Sequence, residues 1–358
     1  MNRTSFRAAA ACALLATTAL SAPAFAQTPP PKFDAIDANG VDLVSGLPAG
    51  VSITEGSIGS GPGAVSLTRS WNGSGYWVGN WTGLMYHRTV SGQTLAYVEL
   101  GRNSDTFTIS GSTYTSTKAD GATLVSNGDG QLTYTAPDGT TIVYKRSLRD
   151  EEFESYAVGA PQCGPADAGT CAIPVSVDTP GGMTFTVNWD VHFKCAGYDE
   201  NLVCTQRDAF VRFDGVTSDA SYKFTVNYVT DTPGNFAAPQ SDWYKKSSVT
   251  FTNLVSTPAS LPTVTYPTPS SGHPNFTDPA GGSWSISATN GAITGITPPG
   301  ASSARTTYAY TNGTVSSATI DGVTTGYSRA VSGTTATTTI TNALSQQSVV
   351  VVDLARAG

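Results

Sequence analysis

Two groups of side chains in this sequence have the types and spacing that acid-base chemistry requires. One is the acidic run at residues 150–154, and the other is the pair Asp190 and His192, which share one face if their segment is a strand. A glycosidase needs two carboxyl groups that project into one cleft, which a sequence alone does not establish. Solvated loop charges account for the acidic run, and a hydrogen-bonded surface pair accounts for Asp190 and His192. We therefore predict that the chain is not an enzyme.

Motifs for hydrolases, metalloproteases and phosphate-binding loops are missing from the sequence. It contains no Gly-x-Ser-x-Gly, His-Glu-x-x-His or Gly-x-x-x-x-Gly-Lys-Ser/Thr, and its only histidines are His87, His192 and His273. Residues 127–130, Asn-Gly-Asp-Gly, offer oxygen atoms to calcium but lack the spacing and the distal glutamate of an EF-hand loop. We interpret them as a hairpin turn, and we predict no metal and no cofactor.

Aromatic residues form the one group that suggests ligand binding. Trp71, Tyr76, Trp77, Trp81 and Tyr86 fall within a short glycine-containing segment. Exposed rings on a β-surface stack on the apolar faces of sugars, so Trp71, Tyr76, Trp77 and Trp81 are candidate glycan-stacking residues. Aromatic residues with glycine at bends are equally typical of ordinary β-packing, and we prefer this second interpretation.

The first residues have the pattern of a secretory signal peptide. Arg3 and Arg7 precede an apolar stretch, and residues 24–26, Ala-Phe-Ala, form a small-x-small cleavage site, so we predict that residues 1–26 are removed. The formal net charge of the full chain is −7, and loss of the two arginines makes it more negative. This acidic balance argues against nucleic acid and anionic membranes as partners. We expect no transmembrane span and a location in the periplasm, on the cell surface or outside the cell.

Four cysteines remain after removal of the leader: Cys163, Cys171, Cys195 and Cys204. An even number of cysteines in an exported chain indicates disulfides, for which three pairings exist. Proximity in the sequence favours Cys163 with Cys171 and Cys195 with Cys204. The alternative of a zinc site has no Cys-x-x-Cys spacing to support it.

Alternating apolar and polar residues dominate the rest of the chain, so the predicted fold class is all-β with short antiparallel strands. We expect sandwich-like N-terminal regions followed by stacked β-hairpin repeats. Residues 258–279 are rich in proline, which predicts an extended connector without a central strand. The predicted organisation is a signal peptide at 1–26, an N-terminal β region at 27–157, a cysteine-containing β region at 158–257, this connector at 258–279, and hairpin repeats at 280–358.

A tandem repeat with a spacing of 22 residues defines the last of these regions. Residues 284–293 and 306–315 each contain an alternating strand, an Asn-Gly pair and the start of a second strand. Asn290-Gly291 and Asn312-Gly313 favour type I′ turns, so each unit is predicted to be a β-hairpin. A hairpin of this size cannot bury a core alone and must stack on neighbours.

The valine-rich stretch at residues 349–354 has the composition of a strand buried on both faces. Three arrangements would cover it. It pairs back within the chain, another chain covers it, or the sequence is the front of a longer one. Without a cover it is an aggregation-prone edge.

The hairpin units carry a family resemblance. Residues 308–322, followed by Gly326-Tyr327, resemble the tyrosine-aspartate (YD) repeat of Rhs proteins. Residues 278–281, Asp-Pro-Ala-Gly, are similar to the turn that precedes such repeats, and residues 341–345 are similar to a diverged copy of it. The segments at 39–46, 55–59, 67–69 and 79–81 resemble the opening of Rhs-repeat proteins from Gram-negative bacteria.

This resemblance implies a part of a larger architecture. Rhs proteins wrap many repeats into a hollow β-shell, close it with an autoproteolytic core and release a C-terminal toxin. We identify about two and a half repeats in the chain and expect it to be truncated before the closing core and the toxin region. We therefore expect a non-catalytic structural or interaction module with a further repeat-containing chain or a toxin as partner at its C-terminal edge. The alternative is a polysaccharide-binding or adhesive surface module that uses the aromatic group.

Overall fold

The computed structural model describes residues 35–71, 77–118, 120–128, 130–146, 171–198, 204–231, 241–256, 261–267 and 275–354. The predicted signal peptide, the acidic run at 150–154, Tyr76 and Cys163 lie outside these residues. Within them the fold is all-β and antiparallel, as predicted, and the only helical segments are the short 3₁₀ turns Gly61–Gly63 and Ser241–Tyr244.

Three small antiparallel sheets come first in the chain. A two-stranded sheet contains β1 (Val41–Asp42) and β2 (Leu47–Pro48). A three-stranded sheet contains β3 (Ser52–Ile58), β4 (Val65–Trp71) and β5 (Trp77–Gly79). A four-stranded sheet contains β6 (Met85–Val90), β7 (Gln93–Leu100), β8 (Asn103–Ser110) and β9 (Thr113–Ser116).

All remaining strands form one sheet of 17 strands in which each strand pairs with the next in the chain. Its first half contains β10 (Thr123–Gly128), β11 (Gln131–Thr135), β12 (Thr141–Lys145), β13 (Ile173–Asp178), β14 (Thr184–Tyr198), β15 (Cys204–Ser218), β16 (Tyr222–Tyr228) and β17 (Lys246–Asn253). Its second half contains β18 (Thr263–Thr265), β19 (Phe276–Thr277), β20 (Ser283–Thr289), β21 (Ala292–Thr297), β22 (Thr306–Thr311), β23 (Thr314–Ile320), β24 (Val323–Ser332), β25 (Thr335–Thr341) and β26 (Gln347–Asp353).

The small sheets pack on one face of the long sheet in the reverse of its strand order. The segment around β1 and β2 contacts β22 to β24, the sheet β3–β5 contacts β15 to β18, and the sheet β6–β9 lies against β10 to β12. One apolar cluster runs through this interface from Val41 to Tyr327. The N-terminal third thus supplies the second layer that the predicted hairpins need in order to bury their apolar side chains.

The prediction that the proline-rich connector holds no central strand is wrong. β18 lies between β17 and β19 and pairs with both. The prolines fall just outside it: Pro262 precedes it, Pro267 follows it two residues later, and the carbonyl oxygen of Pro262 still accepts a hydrogen bond from the N–H of Phe251 (2.9 Å). Three residues free of proline are enough for a short strand to join the sheet. The long sheet continues across the predicted region boundaries, which stay predictions.

The repeat units are hairpins with the predicted turns. At Asn290-Gly291 and at Asn312-Gly313 both φ angles are positive, 50° and 75° in the first turn and 52° and 78° in the second, as type I′ requires. Both hairpins also shift register at equivalent positions, 22 residues apart, after Ser287 and after Ala309. The repeat therefore preserves a β-bulge together with its turn.

The turn that precedes the repeats occurs three times with the same hydrogen bonds, at residues 278–282, 342–346 and 37–41. In each, the first residue accepts at its carbonyl oxygen from the fourth N–H and donates its own N–H to the fifth carbonyl oxygen. Its side-chain oxygen accepts from the third and fifth N–H groups, and every distance is 2.8 to 3.0 Å. The similarity predicted for residues 341–345 is confirmed, and the copy at 37–41 was missed.

Candidate functional site

The outer edge of β26 is the feature with the clearest capacity for interaction. β26 is the last strand of the long sheet, and β25 is the only strand that pairs with it within the described residues. The three-residue hairpin loop at residues 343–345 sets its register, which places Val350 opposite Thr338 and Val352 opposite Ala336. The predicted C-terminal strand is thus present, with one edge open in this part of the chain.

Two hydrogen bonds, one at each end of β26, show which of its backbone N–H and C=O groups point towards β25. The N–H of Leu354 donates to the carbonyl oxygen of Thr334 (2.7 Å), and the carbonyl oxygen of Gln346 accepts from Asn342 (3.0 Å). Because successive residues of a strand point their N–H and C=O groups to opposite sides, Val350 and Val352 face β25. Val349 and Val351 turn their N–H and C=O groups to the open edge.

Side chains make this edge apolar on both faces of the sheet. Val349 and Val351 are 60% and 63% exposed on the outer face, whereas Val350 and Val352 are half-buried on the face that packs against the core. The expected burial on both faces is therefore not provided by the described residues. An exposed apolar edge strand with unused hydrogen-bonding groups is a template for a further strand.

Two strands near this edge, β22 and β24, are held in place by the N-terminal segment. The hydroxyl of Tyr308 donates to the carbonyl oxygen of Asn39 (2.8 Å), and the hydroxyl of Tyr327 donates to the carboxylate of Asp37. Burial, followed by the Asp37 carboxylate, raises the pKa of Tyr308 to about 12. The guanidinium of Arg329 on β24 donates to a backbone carbonyl oxygen of the same segment. These contacts fix β22 and β24 and so support the platform from which β26 extends.

The three predicted glycan-stacking residues that the structure describes, Trp71, Trp77 and Trp81, take part in packing. Trp71 is fully buried, so it has no face to offer to a sugar. Trp77 lies half-buried and edge-on to Trp71 at 5.5 Å between ring centroids, with the Arg69 guanidinium 4.8 Å from its ring centre. The indole N–H of Trp81 donates to a backbone carbonyl oxygen of β4 (2.7 Å), and its ring packs on a phenylalanine of β14.

A buried charged group that sequence reasoning missed joins the sheet β3–β5 to the long sheet. Arg69 and Glu55 are both buried, with 3.0 Å between Nε and Oε1, and the hydroxyl of Tyr266 donates to the other carboxylate oxygen. The guanidinium also lies 4.8 Å from the ring centre of Phe276. Burial lowers the pKa of Arg69 and raises that of Tyr266. The residues are too far apart in the sequence to form a recognisable motif.

Asp190 and His192 lie on one side of β14, as predicted, and Asp190 forms an ion pair with Arg212. Nε2 of His192 is 3.4 Å from Oδ1 of Asp190, and Nε and Nη2 of Arg212 are 2.9 and 2.8 Å from Oδ2. Arg212 also donates to the carbonyl oxygens of Thr230 (2.8 Å) and Trp243 (3.0 Å). Arg212 on β15 thus links β14, through Asp190, to the segments that contain Thr230 and Trp243. This arginine was not singled out from the sequence.

Cys171 is buried and disulfide-bonded, and its partner is outside the side chains that the structure describes. The register of β14 and β15 places Cys195 opposite Arg207 and Cys204 opposite Tyr198. The side chains of Cys195 and Cys204 lie outside those that the structure describes. Both predicted pairings stay predictions.

No cluster of three or more metal-ligating side chains occurs among the described residues. β10 and β11 form an antiparallel pair with Gly128 opposite Gln131, which agrees with the predicted hairpin, and Asp129 lies outside the described residues. Nor does any helix in the described part of the chain have the length and apolar character to cross a membrane.

Comparisons with known proteins give distant structural similarities only. No protein family and no curated protein matches the chain by sequence. The chain is similar to one in the crystal structure of TcdB2-TccC3-Cdc42, with 10% sequence identity and a TM-score of 0.35, over 81% of this chain but 16% of that one. It is also similar to a porin-like protein from Bacteroides uniformis, with 13% identity and a TM-score of 0.21, over 84% of this chain and 93% of that one. These scores do not identify a family.

Proposed function

We propose that this chain is an exported, non-catalytic structural and interaction module that presents the first hairpins of an Rhs/YD-type β-shell. The observation that carries the proposal is the open apolar edge of β26 at the end of a regular series of hairpins. Further strands from a repeat-containing chain or a toxin partner add to this edge. Main-chain hydrogen bonds supply the affinity, and the valines supply apolar contact.

The ion pairs of three acidic side chains support a non-catalytic role. Glu55 is paired with Arg69, Asp105 lies 2.5 Å from the ammonium of Lys118, and Asp190 is bound by Arg212. These three carboxylates therefore serve to hold segments of the described chain together.

Strand addition can be tested with a fluorescein-labelled peptide that copies residues 306–320, one repeat hairpin, followed by fluorescence anisotropy. Val351→Pro removes an N–H that faces the open edge and leaves the ladder to β25 intact. Val323→Lys is the matched control, because Val323 is an exposed valine on β24, which is not an edge strand. We expect saturable binding by the wild type and by Val323→Lys, and at least tenfold weaker binding by Val351→Pro. Equal binding by all three proteins would contradict the proposed use of this edge.

A further inference from the structure

We propose that the strand taken up by β26 is β26 of a second copy of this chain, so that two molecules join their long sheets edge to edge around a two-fold axis. This inference rests on the proposed strand-docking function and specifies its partner. The carrying observation is that the open edge is complementary to itself in one register.

The register follows from the direction of the backbone groups. Residues with odd numbers on β26 face the open edge, so an antiparallel ladder between two copies must place odd residues opposite odd residues. The register with Val350 opposite Val350 and Val349 opposite Val351 meets this condition and pairs all seven residues of Gln347–Asp353. A shift by one residue opposes outward groups to inward ones, and a shift by two leaves two residues of each strand unpaired.

Side chains agree with this register. Val349 and Val351 of both copies form one group of four valines on the outer face, where each is now about 60% exposed. Val350 meets its own copy on the inner face. Asp353 is the only charged residue of the strand, and it lies opposite Gln347, so no like charges are opposed.

The other end of the long sheet favours this closed arrangement over an open chain of molecules. A head-to-tail contact would place β26 against β10 and would generate filaments. Both end strands, β10 and β26, have one hydrogen-bonded neighbour within the described residues, but only β26 carries two exposed valines beside its open edge. Pairing of β26 with itself uses the open edge of both molecules and stops at a dimer. A seven-residue edge is a small contact, so we expect dissociation on dilution.

Site-specific disulfide formation tests the register directly. In the proposed dimer the two copies of residue 350 form a non-hydrogen-bonded pair with Cα atoms about 4.5 Å apart, which is within disulfide reach. Val350→Cys should therefore give a covalent dimer under mild oxidation. Val352→Cys is the matched control, because residue 352 is also half-buried on the inner face but lies roughly 13 Å from its copy, four strand positions away.

We expect at least tenfold more covalent dimer from Val350→Cys than from Val352→Cys or the wild type, with the bridge mapped to residue 350 by mass spectrometry. Sedimentation should show a concentration-dependent dimer for the wild type and a monomer for Val351→Pro. Equal cross-linking of both variants, or a wild-type monomer at all concentrations, would overturn the second-copy proposal. If such a monomer still binds the hairpin peptide at this edge, strand docking stands and only the partner is wrong. If it binds no peptide, both proposals fail.

Discussion

The buried pair Arg69–Glu55 offers the most direct measurement of how the N-terminal layer is attached to the long sheet. Replacing Glu55 with Gln retains the shape of the side chain and an acceptor for Tyr266, but it removes the negative charge. Arg69 then stays buried between the rings of Trp77 and Phe276 without a counter-ion. Arginine does not lose its proton to relieve this burial, so the cost appears in the free energy of unfolding.

The expected magnitude follows from the burial of both partners. Breaking a buried ion pair by removing one partner costs about 3–5 kcal/mol, because the remaining charge is uncompensated. In a large domain the melting temperature falls by about 2 °C for each kcal/mol of lost unfolding free energy, so we expect a fall of roughly 6–10 °C. Replacing both residues, as in Glu55→Leu with Arg69→Met, should recover most of this loss, since no buried charge remains.

Urea unfolding of Glu55→Leu, Arg69→Met and the variant that combines them closes a thermodynamic cycle, and Glu55→Gln is measured beside it. Asp321→Asn is the matched control, because it breaks the exposed pair Arg305–Asp321, in which the two side chains are 62% and 65% exposed. Exposed pairs contribute about 0–1 kcal/mol. The reasoning would be refuted if Glu55→Gln cost no more than Asp321→Asn, or if the double variant were as unstable as the sum of the single ones.

Three further predictions concern the repeats, the N-terminal segment and the aromatic group. Asn312 has a φ of 52°, so Asn312→Ala should cost roughly 1–2 kcal/mol in urea unfolding, while Asn312→Gly should be nearly neutral. The pKa of Tyr308 is raised from 10.0 to about 12, so its contribution to stability is present below pH 10 and is lost between pH 10 and 12. Tyr308→Phe should flatten that part of the pH profile of the unfolding free energy. Trp71→Ala should cost about 3–5 kcal/mol in the same assay, whereas a folded, fully stable variant that no longer binds a polysaccharide column would favour glycan stacking.

The features predicted correctly from sequence depend on residues close together in the chain. The type I′ turn at Asn312-Gly313 requires two residues that tolerate positive φ, and the turn at residues 342–346 requires a side-chain acceptor at its first position. Each of these turns can be recognised from four or five consecutive residues of the sequence. β18 was missed because proline density was treated as a property of the whole connector, although the prolines leave its three residues free.

Long-range features had no such local signal. Asp37 and Tyr327 meet across 290 positions, and Glu55 and Tyr266 meet across 211. Asp, Glu and Tyr are also common at solvent-exposed positions of β-proteins. The residues adjacent to each of them in the sequence therefore do not indicate its hydrogen-bonding partner. The reverse order in which the N-terminal sheets lie on the long sheet is also a property of whole-chain packing. It decides which face of each strand is buried, but it leaves the alternation within each strand unchanged.

The N-terminal layer also explains how a series of so few hairpins can end in an open edge and remain folded. A repeat normally obtains its second layer from many neighbours, but here Tyr308 and Tyr327 are buried by contacts with the segment at residues 37–46. The stability of β22 to β25 therefore does not depend on a cover for β26. We therefore expect Val351→Pro to abolish binding of the partner strand without lowering the stability of the fold. Its melting temperature should stay close to that of the wild type. A large loss of stability in this variant, measured at a concentration where the wild type is a monomer, would mean that β22 to β25 do depend on a cover for β26.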